Sequence, residues 1–104
     1  SKTHDEVTSP SDYNLILVGG PCANPLVETV FGLTCDGWTH SAGEAVVKLA
    51  ANGDKVALLV AGTDALDTRR AGKAVAAYTD YTFEGTEVLV KGATLTDITV
   101  EKSA

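Results

Sequence analysis

The sequence predicts an α/β fold: a single domain with a mixed β-sheet, βαββαβ order and a β-hairpin at Asn52-Gly53. Three observations carry that prediction. Leu15 to Val18 and Val56 to Ala61 are short unbroken apolar runs ending at glycines, the pattern of strands covered on both faces of a sheet. Ala51-Asn52-Gly53-Asp54 separates two apolar runs, and Asn-Gly in that setting is a strong hairpin signal. Two segments that follow glycines, beginning at Asn24 and at Thr63-Asp64, open with helix-capping residues and continue with apolar residues at helical spacing.

Each element follows in order. Residues 1–12, SKTHDEVTSPSD, are polar and contain a Ser-Pro pair, so they read as an N-terminal arm or linker. Residues 13–92 form the α/β domain, and 93–104 a C-terminal strand or extended tail. The first strand is 15–18. Asn24 then caps a short helix with Pro25 at its first position, where the missing N–H costs nothing; Leu26, Val30 and Leu33 recur on one side, and the helix ends near Gly32. Thr34 to Gly43 is a loop holding Trp38 and His40. Strands are expected at about 44–50 and 55–61 on either side of the hairpin turn. In the second helix, Ala71, Ala74, Val75 and Tyr78 make a narrow apolar face, while Arg69, Arg70 and Lys73 read as solvated surface. A loop at 79–85 leads to a strand at 87–91, and Ile98 and Val100 alternate with polar residues in an exposed last strand. A two-layer ferredoxin-like α+β plait with both helices on one face fits the same order, although the unbroken apolar runs favour coverage of both faces.

The 104 residues suffice for one core. The formal net charge of −6 sets the overall field against nucleic acid and anionic lipid surfaces, so neither is an expected partner. No apolar run approaches the roughly 20 residues that span a bilayer, which argues against membrane insertion. The chain opens at a serine and contains no methionine, so it reads as a processed product or a piece of something longer. Cys22 and Cys35 have neither CxxC nor zinc-knuckle spacing. An even count with a helix-length insert is compatible with one disulfide, which implies a compartment outside the reducing cytosol; two unpaired buried cysteines are the alternative.

Chemistry is sparse. Gly19-Gly20-Pro21 lies where doubly wound folds bind phosphate, but it lacks the GxGxxG and P-loop patterns, and Pro21 and Pro25 each remove a donor. A nucleophilic thiol built from Cys22 or Cys35 with His40 and Asp36 has the right residue types, and a disulfide would abolish it. His4, His40 and the cysteines make a weak metal set, so no catalytic residue, metal or cofactor is assigned. Trp38 reads first as a lid on a local core and second as a platform for a sugar.

Two stretches carry a family resemblance. NLILVGGPCANPLVETV, from Asn14, resembles a Val-Gly-Gly-Pro-x-Ala-Asn segment of archaeal S-layer and related cell-surface proteins. The later stretch, GEAVVKL followed by KVALLVAGTDALDTRRAGKAV, is similar to the hairpin, Val-Ala-Gly and Asp-Thr-Arg helix that come next in that family. The resemblance spans about residues 14–78 and implies an extracellular structural module, not an enzyme. On that reading it contacts copies of itself or other cell-surface subunits and assembles into a lattice or filament. Gly19, Gly20, Pro21, Asn24, Gly62, Asp67, Thr68 and Arg69 are then architectural positions. The alternative is a carbohydrate- or ligand-binding module of a larger secreted protein, using the Trp38 and His40 loop; a glycan is its expected ligand.

Overall fold

The computed structural model describes residues 2–103. Five strands, β1 (Leu15–Val18), β2 (Glu44–Asn52), β3 (Lys55–Gly62), β4 (Glu87–Lys91) and β5 (Thr99–Lys102), form one sheet in the order β1-β3-β2-β4-β5. β1 and β3 are parallel neighbours, and the other three pairs are antiparallel. Helix α1 (Pro25–Phe31) follows β1, and α2 (Ala65–Ala76) follows β3.

Side-chain alternation divides the core between the two faces of the sheet. Leu17, Leu59 and Ala61 point to the side of α1 and bury Val27, with Leu26, Val30, Phe31, Leu33 and Trp38 packed around them. Ala45, Val47, Val60, Val88 and Val90 point to the other side and bury Ala71 and Ala74 of α2. Coverage of both faces gives three layers and replaces the two-layer plait. Fully buried Val27 and Leu59 each contribute about 1.5–3 kcal/mol of transfer free energy.

The local chemistry explains the element ends. Asn24 Oδ1 accepts the Leu26 N–H at 3.1 Å, Pro25 occupies the first turn, and Gly32 ends α1 at φ 70°. The hairpin closes through Gly53 and Asp54, with Gly53 at φ 63°, where a side chain would be strained. Asn52, still paired in β2, is buried; its Nδ2 donates to the carbonyls of Pro10 and Tyr13, both at 2.9 Å, and so ties the arm to the hairpin.

Three expectations are corrected. β1 is not covered on both faces: it is an edge strand with Ile16 71% and Val18 61% exposed, because α2 lies over β3, β2 and β4 and leaves β1 bare. Arg70 is not solvated surface but 1% exposed, held by an acid one turn earlier. Tyr78 does not extend the α2 face; it lies in a 3-10 turn beyond the helix and is exposed.

Candidate functional site

Because β1 and β3 are parallel neighbours whose following helices cross to opposite faces, their carboxyl ends part and leave a crevice. A cavity of about 300 Å³ opens there, bounded by the Gly19–Ala23 corner, Gly62 to Ala65, Thr68 and Trp38. The two corners sit close together: a Cβ on Gly20 would lie 3.1 Å from the Gly62 carbonyl. A Cβ on Gly62 would lie 2.2 Å from the Thr68 nitrogen, so glycine is required where β3 meets α2.

Two donors of the first corner are used within the turn. The N–H groups of Ala23 and Asn24 both bond the Gly20 carbonyl, at 3.1 and 2.9 Å, and Pro21 and Pro25 have no N–H. That arrangement is poor for a phosphate and good for a fixed turn. Cys22 and Cys35 are joined by a disulfide, which links the entrance of α1 to the loop after it. Neither sulfur is then available as a thiolate.

Trp38 walls the cavity. Its Nε1–H donates to Thr63 Oγ1 at 3.0 Å, and the Thr63 hydroxyl donates to the Glu44 carbonyl at 3.2 Å, so the indole is held against the β3 end. His40 packs edge-on against it, with ring centroids 4.9 Å apart, and its Nδ1 lies 3.9 Å from Glu44 Oε1. His4 lies in the arm beside Asp5. Among the described residues no group of three or more His, Cys, Asp or Glu side chains is placed to hold a metal ion.

Sequence reasoning read Asp67 as an architectural position at a helix start but missed its burial and its pairing with Arg70. Asp67, buried at the start of α2, accepts N–H bonds from Asp64 at 3.0 Å and from Gly43 at 3.2 Å, and pairs with Arg70 Nη1 at 2.8 Å. Burial opposes its ionisation, but the Arg70 guanidinium and the Asp64 and Gly43 amides outweigh this and hold its carboxyl below the ordinary value. Arg70 Nε also donates to the Thr94 carbonyl, in the loop between β4 and β5. One ion pair thus joins the start of β2, the cap of α2 and the last loop of the sheet. Thr68 of the same motif accepts the Gly62 N–H at 2.9 Å, while Arg69 is exposed. The signal was present as Asp64-x-x-Asp67, a helix-start box, with Arg70 at i+3.

Comparison with known proteins places the chain in a family. The family model described as the S-layer like family, outer domain, matches residues 3–80. That span contains β1 to β3 and both helices, and it ends before β4 and β5. An S-layer protein of Methanothermococcus thermolithotrophicus is 45% identical over 78 residues, which cover 72% of this chain and 14% of that protein. The chain therefore spans about one-seventh of the length of this relative. No solved structure matches. The chain belongs to the S-layer-like family and is a structural domain of an archaeal cell surface.

Proposed function

We propose that this domain is an assembly module, acting through protein–protein contacts with copies of itself or with other surface subunits and building a lattice or filament. The observation that supports this best is the family match over residues 3–80, which takes in the parallel strand pair, both helices and the Asp67–Arg70 pair. A disulfide and a buried ion pair suit such a role, since they fix the relative positions of loops that a neighbour must meet. The arm at 1–12 and the tail at 93–104 are the proposed joints between neighbouring units. Light scattering over a concentration series is the test: particles or filaments that grow with concentration are expected, and a strict monomer at high concentration with the arm intact overturns the reading.

A second reading has one observation in its favour, the Trp38-walled cavity at the strand ends. There the domain binds a saccharide whose ring stacks on the indole. Binding to a glycan panel that disappears in Trp38→Ala, with the circular dichroism spectrum retained, supports it; an unbound panel removes it.

A further inference from the structure

We infer that the free edge of β1 pairs with β1 of a second copy, antiparallel across a twofold axis at Leu17. This adds a contact face, beside the arm and the tail, to the self-association proposed above and rests on that reading.

The backbone defines what the edge offers. The Gly19 N–H bonds the Val60 carbonyl at 2.9 Å, and Val18 is the register partner of Val60. In a parallel ladder successive residues alternate sides, so Leu15, Leu17 and Gly19 address β3. The N–H and C=O groups of Ile16 and Val18 therefore point away from the sheet. Among the described residues the Val18 carbonyl accepts from the Asn24 side-chain amide, at 3.5 Å, and retains a second lone pair. The exposed side chains belong to the same two residues, Ile16 and Val18.

The sequence of the strand itself carries no edge protection. Edge strands normally carry charge, proline or a bulge that discourages pairing with another chain. The opposite edge follows that rule: β5 reads Thr-Val-Glu-Lys, and Glu101 pairs with Lys91 at 2.7 Å. β1 reads Leu-Ile-Leu-Val and has none of these features.

The occupant follows from self-complementarity. With Leu17 opposite Leu17 of the second copy, Ile16 faces Val18 in both directions. Those are the residues whose backbone groups point outward, so each pair exchanges two hydrogen bonds and the edge makes four. A twofold axis normal to the sheet keeps faces matched. Ile16 and Val18 then become cross-strand β-branched pairs on the face that α2 leaves bare, a favoured combination on a sheet surface. Shifting the register by one residue would oppose side chains that belong to different faces.

The arm is the gate to this edge. A groove of about 530 Å³ runs along β1, with Lys2, His4 and Val7 among its lining residues. The described hydrogen bonds and ion pairs of residues 3–7 run among themselves, Thr3 to Glu6, His4 to Val7 and His4 to Asp5. Anchoring to the hairpin begins only at Pro10. Residues 2–7 can therefore swing clear without breaking a hydrogen bond to the sheet.

The test uses the full chain. Sedimentation equilibrium measures association of the wild type and of Ile16→Lys, and concentration-dependent amide exchange reads Ile16 and Val18 in the wild type. Ile16→Lys is expected to keep the monomer's circular dichroism and to raise the dissociation constant more than about tenfold, because the substitution enters a twofold contact twice. The Ile16 and Val18 amides should gain protection as concentration rises. Undiminished association of Ile16→Lys, or wild-type association that protects β5 amides instead, overturns the edge assignment and leaves self-association standing. A wild type that stays monomeric overturns both.

Discussion

At the scale of single residues, Asp67 and Arg70 show how one pair does several jobs. Arg70 is the largest side chain wholly removed from water, and it reaches Asp67 and the Thr94 carbonyl. Arg70→Ala would leave a buried carboxylate without its counter-charge, a loss of about 3–5 kcal/mol that urea denaturation would register as a lower midpoint. Replacing both partners by apolar residues is often nearly neutral for a buried pair. Here Asp67→Leu with Arg70→Met should remain destabilised, because the Gly43 and Asp64 N–H groups lose their acceptor. The sequence showed Arg70 only as one cation among three on a helix. Its burial depends on Gly92 and Thr94, residues 22 and 24 positions away, and helical periodicity carries no record of such partners. Asp67 was legible as a helix-start acid but not as a buried one, for the same reason.

Among the elements, the short ones need external support. A seven-residue helix is too short to persist alone in water, and α1 relies on its Asn24 cap, buried Val27 and the disulfide across its ends. Cys22 and Cys35 are exposed, so a mild reductant reaches them. Reduction should cost about 3 kcal/mol in the chain-entropy account, with α1 amides losing exchange protection before those of β2 and β3. The β4–β5 loop is tied differently. Asp97 accepts the Ala93 N–H at 2.9 Å and the Thr94 N–H and hydroxyl, each at 2.7 Å, and these bonds lower its pKa to about 2. A depressed carboxylate stabilises the fold above its unfolded value of 3.8, and the contribution is lost as pH falls toward about 2. The loop should therefore loosen between pH 4 and 2, and Asp97→Asn should flatten that part of the acid-unfolding curve. Strand and helix positions were legible because caps, glycines and apolar runs are local. The bare face of β1 was not, since a run of four aliphatics looks the same in a central strand as at an edge.

For the whole molecule, charge and edge chemistry pull in opposite directions, and that makes association sensitive to salt in a diagnostic way. Each chain carries a formal net charge of −6, so two copies brought together repel. At about 0.01 M ionic strength the screening length is about 30 Å, comparable to the 37 × 27 × 27 Å extents of the fold, and the repulsion acts over the full approach. At about 0.15 M it falls to roughly 8 Å, and most of the repulsion between distant charges is lost. A β1 contact contains no ion pair, so it gains from screening. A contact built on exposed pairs such as Lys91 and Glu101 would instead weaken. Sedimentation at fixed protein concentration should therefore show association rising from low to physiological salt, in the wild type but not in Ile16→Lys. A fall with added salt would mean that charged side chains hold the assembly together, and it would move the contact from the apolar edge to the charged one.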